Sequence, residues 1–435
     1  MRRLIVGSWV AATLVLSLPA FAVVYVKTDG DDHLSGASWA TAKATIQAAI
    51  NAAPKGDGEV WIKAGVYGGG ITVKKKASLI GGFSGSGGER DPAAYRTVID
   101  AGGKASAIKI KPKATVTVDG VEIDNGSGRE GGGICCDNAD LTVKHSVFRG
   151  NHASRNGGAI CMANGVLTVE YCTFKDNESG RNGGAICFSR SRATITRSVF
   201  TGNSADCGAA VDCERAIDSR FEFNIVSDNS ADNGGGVSCR SKSVLSILSN
   251  VFVGNSAHNG GAIYYHSTDS LQSSNLIKDN SAQAKGGGIY WAGNCFADSV
   301  NDTFIGNTAN QGGAACATDR TTGWLTNAII YDNHASQGGA AFKDRRTTLY
   351  LYCCCYYLNG ASPFVGGVVT DPVYGNFEAD PLFVDYAAGD YHIRPDSPCV
   401  DAGDNWYVEY HTDWTDLDGK TRIVGTVDIG CYELQ

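Results

Sequence analysis

Short runs of alternating apolar and polar residues fill most of this chain. Two clear examples are residues 141–144 (Leu-Thr-Val-Lys) and residues 167–170 (Leu-Thr-Val-Glu). A period of two residues is typical of a β-strand that buries one face. Between Gly102 and Ala341 no run follows the 3.6-residue period of a helix. We therefore predict that this part consists of strands and turns.

The strand pattern repeats at a fixed interval. Each copy carries Phe-x-x-Asn followed by Gly-Gly-Ala-Ile, as at Phe148–Asn151 and Gly157–Ile160. The mean interval is about 26 residues, and these asparagines mark it: Asn125, Asn151, Asn177, Asn203, Asn229, Asn255, Asn280, Asn307 and Asn333. A strand-and-turn unit at a fixed period indicates a solenoid whose coils are about 4.8 Å apart. We predict a parallel β-helix with nine such repeats over residues 125–341.

The repeat also predicts how residues of one type stack. Asn151, Asn177, Asn203, Asn229 and Asn255 fall at one corner of successive coils. Asparagine tolerates a left-handed backbone, and its amide can bond the residues above and below it. We interpret this ladder as turn stabilisation rather than catalysis.

The cysteines follow the same interval. The chain has fifteen, and Cys135, Cys161, Cys187, Cys213 and Cys239 recur once in each successive repeat. Stacked Cα atoms about 4.8 Å apart lie within the range that a disulfide accepts. Three interpretations remain open: inert thiols that pack as small apolar groups, one or two disulfides between coils, or thiolates that bind a soft metal. The last two cysteines are offset by one residue within their repeats, which would place them on the opposite face.

The two ends of the stack differ from the repeat. We predict an amphipathic helix over residues 40–53 that covers the open end of the core. Its apolar face comprises Ile46, Ala49, Ile50 and Ala53. The chain then divides into a signal peptide (1–22), an N-terminal cap with the first irregular coils (23–124), the nine repeats (125–341), and the last coils with a C-terminal cap (342–435).

The start of the chain, residues 1–22, indicates export. Arg2 and Arg3 precede an apolar stretch, and residues 20–22 (Ala-Phe-Ala) match a signal-peptidase site. No second apolar run of about 18 residues follows, so we expect no membrane span after cleavage.

The composition narrows the class of protein. Glycine occurs 56 times and proline 9 times, and 43% of the residues are hydrophobic. This supports a packed core and excludes collagen and disorder. The net charge of −8 does not favour nucleic acid as a partner.

The repeats and both ends resemble known families. The Gly-Gly-Ala-Ile and Phe-x-x-Asn pair is similar to the repeats of chlamydial polymorphic outer-membrane proteins. The segments Gly36–Trp39 and Ile46–Ile50 resemble the first cap of secreted bacterial proteins of the pectin-lyase-like superfamily. Asp418–Gly419, Arg422 and Asp428–Gly430 resemble their last cap.

This resemblance implies an all-β fold, a single-stranded right-handed parallel β-helix. It also implies a protein located outside the cell or at the cell surface of a bacterium. The superfamily includes lyases, hydrolases and adhesins, so the resemblance is specific for the fold and not for one activity.

One cluster of carboxylates near the C-terminus is a candidate metal site. Asp413, Asp416 and Asp418 precede Gly419, and closely spaced carboxylates before a glycine turn suit Ca²⁺. A structural Ca²⁺ is the one candidate cofactor that the sequence offers. The alternative is a turn in which these side chains bond local backbone amides.

Two aromatic pairs are candidates for carbohydrate binding. Tyr264, Tyr265, Tyr290 and Trp291 occupy the same place in adjacent repeats. If one residue of each pair faces outward, they form an aromatic strip. The alternative is that they pack inward.

The sequence favours binding over catalysis. It contains no G-x-S-x-G, H-E-x-x-H or P-loop pattern. The leading hypothesis is an adhesive or carbohydrate-binding protein whose partner is an extracellular polysaccharide or another cell surface. The alternative hypothesis is a polysaccharide lyase or glycoside hydrolase that acts on an extracellular polysaccharide.

Overall fold

The computed structural model describes residues 23–54, 56, 58–411 and 413–435. The predicted signal peptide, residues 1–22, lies outside this part of the chain. Within the described ranges, none of the helices has the length and apolar character needed to cross a membrane.

The described chain winds as a coil that builds four long parallel sheets, which we call sheets I to IV. In each complete turn the chain passes from sheet IV to sheet I, then to sheet II, and through sheet III back to sheet IV. The stacked turns form a single-stranded right-handed parallel β-helix, which confirms the predicted fold. One short antiparallel pair, Phe383–Asp385 with Asp390–Ile393, lies outside the coil.

Sheet I contains the strands Val23–Val26, Glu59–Lys63, Ala77–Phe83, Thr115–Asp119, Asp140–Lys144, Val166–Glu170, Arg192–Thr196, Ser219–Glu222, Leu245–Leu248, Ser270–Ser273, Phe296–Val300, Thr322–Thr326 and Thr348–Tyr352. Sheet II contains Gly65–Gly68, Thr97–Asp100, Glu122–Asp124, Val147–Arg149, Thr173–Lys175, Val199–Thr201, Ile225–Ser227, Val251–Val253, Leu276–Lys278, Thr303–Ile305, Ile329–Tyr331, Cys355–Tyr357 and Phe377–Glu378. Sheet III contains Ser127–Glu130, His152–Asn156, Glu178–Ser179, Ser204–Cys207, Ser230–Asn233, Ser256–Asn259, Ser281–Lys285, Thr308–Gln311 and His334–Gln337. Sheet IV contains Ile71–Val73, Ile108–Ile110, Ile134–Asp137, Ile160–Ala163, Ile186–Ser189, Val211–Glu214, Val237–Arg240, Ile263–His266, Ile289–Ala292, Ala315–Ala317, Ala341–Lys343 and Phe364–Val365. Short 3₁₀ helices are Trp39–Thr41, Pro372–Tyr374 and Asn405–Tyr407.

The alternating sequence pattern sets the register between turns. Leu141 pairs with Leu167 and Val143 with Val169, and all four side chains are buried. Because successive residues of a strand point to opposite faces, the residues between them face outward. Like residues therefore stack on like residues along the whole core.

Phenylalanines of sheet II fill the core in the first regular repeats. Phe148, Phe174 and Phe200 are fully buried, and their ring centroids are 4.9 and 4.8 Å apart. At the corner between sheets III and IV, Gly157 adopts a φ of +66°, and a Cβ there would lie 2.2 Å from the carbonyl oxygen of Ile160. The glycine pair of each repeat thus makes this tight corner possible.

The asparagine ladder extends from Asn151 to Asn359. Each amide donates to the next residue of the ladder, as from Asn151 Nδ2 to Asn177 Oδ1 at 2.9 Å. Asn125, which marks the interval in the sequence, is exposed and lies outside the ladder. The backbone N–H of Gly126 occupies its place and donates to Asn151 Oδ1 at 2.9 Å, because this first turn is one residue shorter.

The cysteines on the repeat interval form two columns rather than one. Cys135, Cys161 and Cys187 are register partners on the outer side of sheet IV. Cys213 and Cys239 pair with each other in the neighbouring column, which faces the core. A turn one residue shorter between the two groups moves the later pair to the opposite face. All fifteen cysteines are free thiols in the structure.

The N-terminal helix is shorter than predicted. Instead of one helix over residues 40–53, the structure has a 3₁₀ helix at Trp39–Thr41 and a helix α1 at Ile46–Ala52. The Thr45 side chain accepts a hydrogen bond from the backbone N–H of Ala48 at 3.2 Å, and this cap begins the helix. The buried face of α1 covers the end of the core and consists of Ile46, Ala49 and Ile50.

The described part of residues 380–435, which we call the flap, folds back along the outside of sheets I and II. Trp414 packs in one apolar cluster with Leu248, and Cys399 packs in another with Cys355. The end of the chain therefore covers the side of the coil over several turns.

Candidate functional site

Aromatic side chains cover the outer face of sheet I at its last strands and continue onto the flap. We define the aromatic surface by eight residues: Phe296, Trp324, Tyr350, Tyr352, Tyr374, Trp406, Tyr407 and Tyr410. The first four belong to sheet I, the fifth to a 3₁₀ helix, and the last three to the flap. A large apolar surface of this kind marks an interaction site in a soluble protein.

Neighbouring rings are in contact along the whole surface. The ring centroids of Phe296 and Trp324 are 4.6 Å apart, and those of Trp324 and Tyr350 are 5.9 Å apart with planes at 17°. Tyr352 connects the sheet to the flap, because its centroid is 6.1 Å from that of Tyr407. The most exposed rings are Phe296 (54%), Trp406 (58%) and Tyr410 (76%).

The strand register builds this surface. Asp298, Trp324 and Tyr350 are successive register partners in sheet I, one from each turn. They point outward because alternate residues such as Leu325 face the core. The repeat interval is a signal from which this column could have been found in the sequence. The predicted aromatic strip was instead placed after the Gly-Gly motif, and that position belongs to sheet IV.

Asp298 gives the aromatic surface a carboxylate. Its side chain is half-buried beside Trp324, and burial raises its pKa to about 6. Burial also raises the pKa of Tyr407, and the nearby charge of Asp298 contributes to that shift. Across the described residues, the Asp298 carboxylate takes part in no hydrogen bond or ion pair. It is therefore free to accept hydrogen bonds from a ligand.

The structure separates the four aromatic residues that we predicted to bind carbohydrate. Tyr265 and Trp291 are 1% and 0% exposed and face the core. Tyr264 and Tyr290 lie on the other side of sheet IV with ring centroids 5.5 Å apart, but Tyr290 is only 6% exposed. Lys285 from sheet III donates to the Tyr290 hydroxyl at 3.2 Å and helps to cover it. These four residues thus offer no continuous strip to a sugar.

The structure also separates the carboxylates of the predicted Ca²⁺ site. Asp413 accepts a hydrogen bond from Arg220 at 2.7 Å, and Asp418 pairs with the ammonium group of Lys420 at 2.9 Å. Asp416 is buried and accepts the backbone N–H of Lys420 at 2.7 Å, as in the alternative of a hydrogen-bonded turn. Nowhere in the described ranges do three His, Cys, Asp or Glu side chains converge as metal ligands.

A second charged site lies at the start of sheet II. Glu122 is 8% exposed, and its two carboxylate oxygens pair with Arg96 and Arg149. Arg149 also donates to Asp124 Oδ2 at 2.9 Å, and the charge of Asp100 acts on Asp124. We call these five residues the carboxylate cluster.

Asp124 is a carboxyl group of this cluster with a raised pKa. Burial and the charge of Asp100 raise its pKa to about 6, against the opposing effect of Arg96. Its Oδ1 atom is buried with no hydrogen-bond partner in the described part of the chain. A carboxyl group with such a pKa can serve as a general acid. Sequence reasoning missed this cluster because the first coils vary in length and do not align at the interval of the later repeats.

Burial holds several thiols in their protonated form. Burial raises the pKa of Cys136, Cys316 and Cys354 to about 12. A nucleophilic or metal-binding cysteine needs a lowered pKa, so these side chains fit packing better than catalysis.

Comparisons with known proteins agree with the fold. Residues 95–281 match the family model described as "Right handed beta helix region". No curated protein matches the chain in sequence.

Several solved structures resemble this chain. XylC in complex with xylose is 10% identical, with 83% of this chain and 87% of that chain covered, at a TM-score of 0.45. The pectate lyase Pel9A is 12% identical, with 95% and 96% covered, at 0.43. The GH136 lacto-N-biosidase from Eubacterium ramulus is 10% identical, with 82% and 67% covered, at 0.48. At these identities the likeness concerns the fold alone.

Proposed function

We propose that this chain is an exported β-helix protein of a bacterium, located outside the cell or at its surface, that binds a polysaccharide without catalysis. The continuous ring contacts of the aromatic surface are the observation that carries the proposal. Aromatic rings offer flat apolar faces for the C–H groups of sugar rings. The Asp298 carboxylate lies among these rings and accepts hydrogen bonds from sugar hydroxyl groups.

The shape of the aromatic surface favours a chain of sugars over a single sugar. Three adjacent strands of sheet I carry its first four rings, so these rings span about 10 Å along the axis of the coil. The flap then extends the surface through Tyr407 and Trp406, whose ring centroids are 4.9 Å apart. Successive sugars of one polysaccharide would contact successive rings.

Replacement of Trp324 tests the proposal. The Trp324→Ala variant removes the ring that contacts both Phe296 and Tyr350, so we expect its affinity for the bound polysaccharide to fall at least about tenfold. The measurement is migration in native gels that contain a panel of soluble neutral and acidic polysaccharides. The matched control is Tyr171→Ala, because Tyr171 is an aromatic residue, 54% exposed, on distant coils. The proposal would be refuted if every polysaccharide retarded the unaltered protein, Trp324→Ala and Tyr171→Ala equally.

The carboxylate cluster supports an alternative function, a polysaccharide lyase or glycoside hydrolase. It combines three carboxylates with two arginines, and Asp124 has the pKa of a general acid. The same polysaccharide panel separates the two functions. Release of reducing ends or of unsaturated uronates by the unaltered protein, abolished in Asp124→Asn, would replace the non-catalytic proposal with this one.

A further inference from the structure

Positive charge is concentrated on the first coils. Residues 60–118 contain ten Lys and Arg and three Asp and Glu, whereas the whole chain contains 37 and 45. Four exposed lysines of this region lie on the outer side of sheet IV and in the turns that follow its first two strands. We call Lys74, Lys109, Lys111 and Lys113 the lysine face.

The strand register brings these lysines close together. The backbone N–H of Lys111 donates to the carbonyl oxygen of Val73 at 2.8 Å, which places Lys111 beside Lys74 in the adjacent coil. Neighbouring strands are about 4.8 Å apart, and residues i and i+2 of one strand are about 6.6 Å apart. Lys109 and Lys111 are therefore two residues apart along the same side of the chain, and Lys74 lies beside Lys111 on the adjacent coil. The result is a compact group of ammonium charges.

The lysine face carries little counter-charge of its own. Within the described residues, the side chains of its four members form no ion pair or hydrogen bond, although Lys144 on a later coil pairs with Glu170 at 2.9 Å. The carboxylate nearest in register, Asp137 beside Lys111, instead accepts a hydrogen bond from Asn164 at 3.0 Å. Like charges on neighbouring strands destabilise a sheet. An anionic ligand would supply the missing counter-charge.

A groove at the edge of the lysine face offers neutral polar groups beside these charges. It has a volume of about 730 Å³ and lies between α1 and sheet IV, bordered by Lys74, Lys111 and Asn51. Gln47 fixes this junction, because its Oε1 accepts the backbone N–H of Thr72 at 2.8 Å. Ammonium groups and neutral amides together match a ligand that carries both acidic groups and hydroxyl groups.

We propose that the lysine face and this groove bind an acidic polysaccharide that carries carboxylates or sulfate esters. A single-stranded nucleic acid fits less well, because no aromatic side chain lines the groove to stack on bases. A membrane surface also fits less well, because the one large aliphatic side chain of the lining, Ile50, is 2% exposed and cannot insert into lipid. This site lies on the first coils and does not depend on the aromatic surface of the last coils.

A charge-matched pair of double variants tests this site. Lys74→Gln with Lys111→Gln removes two charges from the lysine face, and Lys175→Gln with Lys242→Gln removes two exposed lysines from other coils. We measure the binding of polygalacturonate, dextran sulfate and neutral dextran by titration calorimetry at several salt concentrations. We expect one or both acidic polymers to bind the unaltered protein, more weakly as salt rises, and at least about tenfold more weakly to the first double variant. The second double variant and Trp324→Ala should bind these acidic polymers as the unaltered protein does.

The acidic polymers also show which anionic group the site prefers, since one carries carboxylates and the other sulfate esters. Loss of binding in both double variants alike would overturn the proposal, because it would show a response to net charge alone. Absence of binding to both acidic polymers, or equal binding of neutral dextran, would also overturn it. Tighter binding of a single-stranded oligonucleotide or of vesicles with anionic lipid would assign the lysine face to that ligand instead. Thermal unfolding of each variant verifies that the fold is intact.

Discussion

The carboxylate of Asp298 lies at a position where it adds little to the stability of the folded state. Its side chain is half-buried beside Trp324, without a hydrogen-bond donor in the described structure, and its pKa is raised to about 6. Removing an ionised group from water without a partner costs stability. Such a residue is typical of a site that functions in binding, because a ligand hydroxyl can supply the missing donor.

Replacement of Asp298 should therefore stabilise the protein at high pH. The folded-state pKa of about 6 lies above the ordinary value of 3.8, so the folded state binds more protons than the unfolded state between these values. The protonated Asp298 carboxyl therefore contributes stability to the folded state below about pH 4. This contribution is lost as the pH rises through 6. We expect Asp298→Asn to raise the free energy of unfolding at pH 8 by on the order of 1 kcal/mol, a value reduced for partial solvent exposure, and to change it little at pH 4.

Urea unfolding at pH 4 and pH 8 measures this difference. The exposed Asp232 of sheet III provides the control, since Asp232→Asn should leave the free energy of unfolding unchanged at both values. The same Asp298→Asn protein should bind the polysaccharide more weakly at pH 8. A stability gain of equal size at both pH values would contradict this account, because it would not arise from ionisation.

Single residues also show the limit of prediction from sequence. The repeat interval predicts that Cys135, Cys161 and Cys187 stack, and the one-residue offset indicates that Cys213 and Cys239 face the other way. The interval alone does not show how closely neighbouring side chains pack around a ring. For that reason the burial of Tyr290 could not be predicted, since it depends on Cys316 of the next turn and on Lys285 rather than on position in the repeat.

At the scale of elements, ladders of hydrogen-bonded side chains hold the corners of the coil. Asn229 donates to the carbonyl oxygen of Phe200 at 3.0 Å and to Asn255 Oδ1 at 2.9 Å. Its own Oδ1 accepts from the backbone N–H and the side-chain amide of Asn203 at 2.9 and 2.8 Å. The ladder thereby satisfies buried polar groups that no strand hydrogen bond reaches.

The removal of one central rung should destabilise the whole coil. Asn229→Ala leaves the N–H of Asn203 and the carbonyl oxygen of Phe200 buried without these partners, so we expect a loss of about 2–4 kcal/mol in the free energy of unfolding. The control is Asn310→Ala, which alters an exposed asparagine of sheet III and should change stability by less than about 0.5 kcal/mol. Both values come from urea unfolding followed by circular dichroism. Similar stability of the two variants would show that the ladder contributes little.

A second ladder, between sheets I and II, is shorter than the first and was not predicted from the sequence. It passes through Asn224, Asn250 and Asn275 and ends on Asp302, which accepts from Asn275 Nδ2 at 3.0 Å. On earlier coils the same corner holds Ser146 and other residue types. A ladder can be recognised in a sequence only where one residue type repeats, whereas the backbone geometry of this corner accepts several.

At the scale of the whole molecule, the flap completes the aromatic surface. Sheet I supplies one group of rings and the flap supplies Trp406, Tyr407 and Tyr410. The motif around Arg422 resembles a cap in the sequence, and in the structure Arg422 is the buried centre of the flap. Its guanidinium group pairs with Glu433 at 3.3 Å and donates to the carbonyl oxygen of Asp428 at 2.8 Å.

Replacement of Arg422 should release the flap while the coil stays folded. Arg422→Met leaves Glu433 buried without its counter-charge, and breaking a buried ion pair in this way costs about 3–5 kcal/mol. The flap has its own apolar clusters against sheets I and II, so we expect local rather than global unfolding. Limited proteolysis with mass spectrometry should show cleavage within residues 380–435 at least about tenfold faster than in the unaltered protein, while the circular dichroism of the coil is retained.

The ion pair of Arg220 with Asp413 is the matched control, because it also joins the coil to the flap but is about half exposed. Arg220→Met should cost about 1 kcal/mol or less and leave proteolysis nearly unchanged. If the flap positions Tyr407 for binding, Arg422→Met should also weaken polysaccharide binding, whereas binding of acidic polymers at the distant lysine face should stay the same. Equal protease resistance of both variants would show that the apolar clusters alone hold the flap, and the buried arginine would then have no part in shaping the aromatic surface.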